Sequence, residues 1–259
     1  MEKTPFNIYD FFAYLSSGSV LLITADYACS LGQMNREKFP PVLMVAVIIF
    51  TYTTGQIVAH LSSFLYEHNI VGRVLKSPSV LLMAENPQGA NRLKEKTLPG
   101  FLAWLWTAVF PGYHQPLAPS VQKRIRELAA ARHCSMSGED LFEDAFALVT
   151  STPANQPRLE LFLNQYGFAR NMSFAFVASG VWLFIAHQSR SGAVDVRWAF
   201  AALAVGIALF YRYLKFFRQY SFELFLRYSE LPLPKEEHAP VHKKKPAQDA
   251  RPLHKPSPR

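Results

Sequence analysis

Charge is scarce in this chain, and it is missing in blocks. Only 18 per cent of the 259 residues are Asp, Glu, Lys or Arg, against 50 per cent apolar. A soluble domain scatters its charges over every element, so their clustering between apolar runs argues against an ordinary globular protein. Cysteine is nearly absent too. Cys29 and Cys134 are too few for a disulfide framework and lack metal-ligand spacing. No glycine-rich phosphate loop, nucleophile elbow or Cys/His zinc spacing occurs, which leaves no cofactor or metal to assign. The start of the chain lacks the features of a cleaved signal. Met1 to Asp10 sets Lys3 against Glu2 and Asp10, and no small-x-small site follows. Asp26 also spoils the Asp26-Tyr27-Ala28-Cys29 stretch as a lipoprotein box, so the first apolar run is read as a retained span.

Present instead are four long apolar runs: Phe11 to Cys29, Pro41 to Tyr66, Ser173 to His187, and Trp198 to Phe210 with an aromatic extension to Phe217. A hydrocarbon layer of about 30 Å takes roughly 20 apolar helical residues to cross. The runs pair into two helical hairpins. The first turns through Arg36, Glu37, Lys38 and Pro40-Pro41, the second through Gln188 to Arg197 with Gly192 in the turn.

Basic residues near the span ends orient the hairpins. Lys3, Arg73, Lys76, Arg158, Arg170, Arg212, Lys215, Arg218 and Arg227 fall on the side of the termini and the long middle segment. The short loops hold Arg36, Lys38, Arg190 and Arg197. This asymmetry places both termini and the middle segment in the cytoplasm, with the spans in a bacterial inner membrane.

The middle segment reads as short helices rather than strands. Phe101 to Phe110 is ten apolar residues closed by Pro111-Gly112, too short to span. Ser120 to His133 is a basic helix with Ser120 as its expected cap, and Ser137 with Asp140 opens an acidic helix resembling a capping box. From Pro157 a single helix is expected to run through Arg170 and Asn171 into the third span. Tyr211 to Tyr228 is expected to prolong the fourth. In it Tyr213, Phe217, Tyr220 and Leu224 share one face, which can pack on the middle segment or lie on lipid. Beyond Leu231, seven prolines and seven Lys/Arg against three Asp/Glu make a basic tail without a core, expected to be disordered.

Several residues are candidates for chemistry. Thr53, Gln56, His60 and Ser63 form a polar stripe on the second span. One reading is a conduction path switched by His60, and the plainer one is hydrogen bonding between helices. Asp26, the only carboxylate within a run, either binds a cation or fixes a local hydrogen bond. Gly18, Gly55, Ala175, Ser179, Ala202 and Gly206 have the size and spacing of close helix contacts, within one chain or between copies. Arg170, Arg212, Lys215, Arg218 and the tail triplet Lys243, Lys244 and Lys245 suit anionic headgroups or a partner protein.

Arg126 and His133, separated by six residues, resemble the Arg-x(4 to 6)-His signature of HEPN ribonucleases. In that family a helix end places both side chains near a phosphate, so the resemblance implies Arg126 and His133 as catalytic residues. It covers eight residues and departs at Glu127, where the family prefers Asn, Asp or His. Basic helices also give this spacing by chance.

The sequence therefore predicts an all-α membrane protein with four transmembrane helices in two hairpins. Expected units are a first hairpin (1–67), an inserted cytoplasmic helical domain (68–171), a second hairpin (172–217), a juxtamembrane helix (218–231) and a disordered basic tail (232–259). The expected role is non-enzymatic: self-association in the lipid bilayer as a homo-oligomer, coupling a cytoplasmic protein partner or signal to the membrane, in the manner of a sensor or effector subunit of bacterial defence. Nucleic acid is disfavoured as a partner. The alternatives are a channel or small transporter along the second span, and a membrane-bound HEPN-like ribonuclease.

Overall fold

The computed structural model describes residues 8–33, 40–84, 112–132, 134–135, 137–189 and 194–233. Among these no strand occurs. The helices are α1 (Ile8–Cys29), α2 (Pro41–Ser62), α3 (Pro78–Leu82), α4 (Pro119–Ala131), α5 (Gly138–Ser151), α6 (Gln156–Ser189) and α7 (Val196–Ser229). Phe101 to Phe110, His133, residues 34–39 and 190–193 of the two hairpin turns and the tail from residue 234 lie outside the described residues.

Three stretches are long and apolar enough to cross a membrane: Pro41–Leu82, Pro153–Ser189 and Val196–Ser229. They mark the chain as a membrane protein. α1, the first of the four expected spans, has 22 residues but is less apolar, because Ser16, Ser17, Gly18, Ser19 and Asp26 dilute it.

α6 and α7 each have 34 residues. At about 1.5 Å per residue each is about 51 Å long, some 20 Å more than a hydrocarbon core needs. The excess lies at one end, where α3, α4 and α5 pack around it. Leu82, Ile125, Leu128, Leu141, Val149 and Leu159 there close on Tyr220, Leu224, Phe225 and Tyr228 of α7. The face of Tyr213, Tyr220 and Leu224 is thus buried against protein, not laid on lipid.

The caps of these short helices follow from sequence, with one difference. Ser137 accepts a hydrogen bond from the Asp140 amide at 3.1 Å, as a capping residue should. In α4 the expected cap Ser120 lies inside the helix, because Pro119 takes the first turn and Ala118 the boundary. The buried Gln122 amide donates to the carbonyls of Leu82 (2.9 Å) and Ala84 (3.1 Å), fastening α4 onto the end of α3. Glu223, buried in α7, is neutralised by Arg158 at 3.0 Å and Arg227 at 3.2 Å.

The remainder is a helix bundle held by close backbone approach. A Cβ built on Gly18 would lie 1.9 Å from the Thr51 carbonyl oxygen, and one on Gly55 1.8 Å from that of Tyr14. No side chain fits at either position, and α1 and α2 touch backbone to backbone. At Gly206 of α7 a Cβ would lie 2.7 Å from the Val177 Cγ2 and 3.0 Å from the Val177 nitrogen of α6, a close but looser contact. Hydroxyls here bond to carbonyls a turn away, Ser17 to Ala13 at 2.9 Å and Ser19 to Leu15 at 2.7 Å, which satisfies them without water.

Candidate functional site at the junction of bundle and cap

Past Ser62, α2 does not end. It widens from Ser63 to Leu75 into i→i+5 hydrogen bonding, a π-helix of 13 residues, a form that recurs at functional sites. Lys76 stops it with φ of +67°, outside the usual region for a side-chain-bearing residue, and Pro78 then starts α3. Tyr113 holds this corner by donating to the Lys76 carbonyl at 3.1 Å. Burial pushes the Tyr113 hydroxyl well above its ordinary pKa, an effect the nearby Arg218 charge opposes.

The π-helix carries Glu67 to the flank of α6. Its carboxylate accepts the Tyr166 hydroxyl at 3.0 Å and the Ser63 hydroxyl at 2.7 Å, and pairs with the Arg170 guanidinium. Arg170 also donates through Nε to the Asn171 side-chain oxygen at 3.2 Å, which accepts the Ser62 hydroxyl at 2.9 Å. One turn deeper, the Tyr66 hydroxyl lies 3.2 Å from that of Ser173, which donates to the Gly206 carbonyl at 2.8 Å. Two polar groups therefore lie where the bundle meets the cap: one joins the continuation of α2 to α6 through Glu67, and the other joins it to α6 and α7 through Tyr66 and Ser173.

Aromatic rings seal this node on the cap side. Tyr166 stacks on Tyr213 at 5.9 Å and on Phe217 at 5.5 Å, while Tyr66 meets Phe210 edge-on at 4.9 Å. Among the described residues the fully buried Tyr213 hydroxyl has no hydrogen-bond partner, so the node keeps one unused donor. The arrangement contains a neutralised ion pair and phenols.

Other predicted residues fall elsewhere. Thr53, Gln56 and His60 are exposed on the outside of α2, away from α1 and α6, while Ser63 at the end of that stripe turns to Glu67. Asp26 accepts the Gln33 amide at 2.8 Å, fastening the chain as it leaves α1. Gly18, Gly55, Ala175, Ser179 and Gly206 lie in contacts within the chain, and Ala202 is half-buried beside them. Arg170, expected at headgroups, is turned inward with 13 per cent side-chain exposure because Glu67 offers a carboxylate at the same level. Arg212 and Lys215 are exposed, with the Arg212 guanidinium over Phe216 at 5.1 Å. Arg218 donates to the Gln115 carbonyl at 3.1 Å. Arg126 donates to the Met83 carbonyl at 3.3 Å and so braces α4 against α3. Its proposed partner His133 and the triplet Lys243 to Lys245 lie outside the described residues.

A lateral apolar groove of about 470 Å³ opens between α1, α6 and α7, lined by Val20, Ile23, Phe176, Leu183, Trp198 and Val205. Tyr27, Thr24 and Ser179 also line it, and the last two bond to each other at 2.9 Å. Among the described residues no three His, Cys, Asp or Glu side chains gather as a metal site.

Glu67 was not legible as a site residue from the sequence. It lies one position past the second apolar run, where a carboxylate looks like an ordinary span boundary. The available signal was its pairing in depth with Arg170, an opposite charge at the matching end of the third run.

Comparison of the chain with protein-family models, curated proteins and solved structures returns no match.

Proposed function

We propose that this chain is a non-enzymatic multi-pass membrane protein that couples a cytoplasmic partner or signal, received by its helical cap, to the bilayer. The observation that carries the reading is the continuity of α6 and α7. Each passes without a break from the cap core into the bundle. At the crossing Glu67 pairs the continuation of α2 with Arg170 and Tyr166 of α6, and the Tyr166 ring stacks on Tyr213 and Phe217 of α7. A displacement of the cap is therefore transmitted through stiff helices rather than lost in a loop. α1 is the fourth span in this reading: its 22 residues make about 33 Å of helix, packed along α2 and α6 inside the bundle. The cap, both termini and the basic tail face the cytoplasm across a bacterial inner membrane, following the bias in basic residues. The chain self-associates in that membrane, and its layout suits a sensor or effector subunit of a defence system.

Two native cysteines test the sidedness. Cys29 ends α1 at the far end of the bundle and Cys134 lies beside the cap core. On intact cells an impermeant maleimide should label Cys29 in the Cys134→Ser variant, and should reach Cys134 in the Cys29→Ser variant only after permeabilisation. The opposite pattern reverses the orientation. Photocross-linking of the full-length chain in its native membrane, followed by capture, should recover a soluble protein attached to the cap. A chain that is monomeric in the bilayer and cross-links to nothing overturns the coupling role.

A further inference from the structure

Gln56 occupies a position where lipid offers it nothing. α2 turns Thr51, Gly55, Val58 and Ser62 toward its neighbours in the bundle. The other side carries Thr53, Gln56 and His60 among exposed apolar residues, Ile49 at 61 per cent exposure and Ile57 at 56 per cent. Gln56 lies about 22 Å along α2 from Pro41, within a hydrocarbon layer of about 30 Å. The Thr53 hydroxyl satisfies itself on the Ile49 carbonyl at 2.9 Å. Gln56 does not. One N–H reaches the Tyr52 hydroxyl at 2.8 Å, leaving a second N–H and the amide oxygen available. His60, when neutral, brings one donor and one acceptor on the same line.

The chemistry of this face also selects its occupant. Copies of a chain inserted with one orientation can be related only by an axis along the membrane normal, so a twofold contact brings each residue against its own counterpart at equal depth. Such a contact needs groups that pair with themselves. A primary amide and a neutral imidazole each donate and accept, the Thr53 oxygen can still accept, and no Asp, Glu, Lys or Arg occurs between Pro41 and Ser62 to repel its copy. A partner recognised by charge would find nothing to bind here.

We propose that the Thr53–Gln56–His60 face of α2 is the contact between two parallel copies of this chain, packed α2 to α2 with Gln56 hydrogen-bonded across the axis. This deepens the reading above and rests on α2 spanning the bilayer of a self-associating protein.

The test uses the full-length chain in native membranes with Cys29→Ser and Cys134→Ser. Single cysteines are placed by Thr53→Cys on the proposed contact, which keeps Gln56, and by Ile207→Cys on α7, which is 65 per cent exposed away from it. Under membrane-permeant oxidant, Thr53→Cys should give a covalent dimer at least tenfold more abundant than Ile207→Cys. Adding Gln56→Leu to Thr53→Cys should lower that yield about tenfold, and Gln56→Asn should retain most of it. Equal yields at the two positions, a ladder beyond the dimer, or a product with a different membrane protein would overturn the proposal. Lipid-dilution energy transfer on the cysteine-free chain separates the two levels. Association that persists unchanged with Gln56→Leu sinks this interface but leaves self-association standing, whereas no transfer in the unsubstituted chain sinks both.

Discussion

The two ends of α7 are built to opposite rules. Toward its start Ile207 is 65 per cent exposed while Gly206 is buried. Seventeen residues after Ile207, Leu224 is fully buried, and Glu230 at the end of the helix is exposed. The same inversion separates the bundle from the cap. Bundle helices turn Val42, Ile49 and Phe50 outward and bury Ser17, Ser62, Ser173 and Ser179, whereas the cap buries Ile125, Leu128, Leu141 and Phe225. Where large apolar groups face out, lipid is the solvent, and contact depends on small residues and internally satisfied hydroxyls. Where they face in, water drives the core together. The Glu67–Arg170 pair lies where one rule gives way to the other.

Changes at the glycines of the bundle should have the largest effect. Gly55→Leu has no room against the Tyr14 backbone, so it should exceed the ~3 kcal/mol of ordinary overpacking and separate α1 from α2. The check is a loss of monodisperse protein after mild solubilisation, with the cap still resistant to protease.

Phe225→Ala tests the other side of the comparison. Removing a fully buried ring of the cap should cost about 3–5 kcal/mol and melt the cap alone. Hydrogen exchange should rise through α4 and α5 and stay low in α1 and α2. Uniform loss of protection would mean that the two regions are one cooperative unit.

The junction should respond less. Glu67→Gln leaves Arg170 without its counter-ion and should cost about 2 kcal/mol, less than a fully buried pair because Glu67 keeps 28 per cent side-chain exposure. The double variant Glu67→Gln with Arg170→Leu should recover part of that loss in thermal unfolding. A double variant worse than either single one would show that the pair does more than neutralise itself.

The smallest effect belongs to the cap surface. Ser137→Ala should cost about 1 kcal/mol through the lost helix cap. Asp140 has its pKa lowered by hydrogen bonds from the Ser135 and Ser137 hydroxyls. A lowered folded value contributes stability above the ordinary carboxylate range and loses it as pH falls. The acid limb of cap unfolding, below about pH 4, should therefore be shallower in Ser137→Ala. The same variant should leave the bundle unchanged.

Particular residues show why some of this was readable and some was not. The continuity of α6 and α7 followed from an uninterrupted run of helix-compatible residues, with no proline between Leu159 and Ser189 or between Val196 and Ser229. Ser137 announced its cap because capping is a contact over three positions. The π-helical stretch after Ser62 was not legible, since nothing in the composition of Ser63 to Leu75 distinguishes i→i+5 from i→i+4 bonding. Arg170 pointed to headgroups because its partner is 103 positions away in the chain.

The sequence by itself determined that lipid is the solvent for much of this protein, that its elements are helices, and where two of them outlast a bilayer. Those properties follow from residue type and periodicity, which act locally. Only the tertiary structure decided which polar side chains would be satisfied within the chain and which would be left facing out. It drew Ser62, Glu67 and Arg170 into one network and left Gln56 and His60 on the surface. That outcome depends on the rotation of each helix about its axis, which is set by the backbone contacts of Gly18, Gly55 and Gly206 rather than by any run of neighbouring residues.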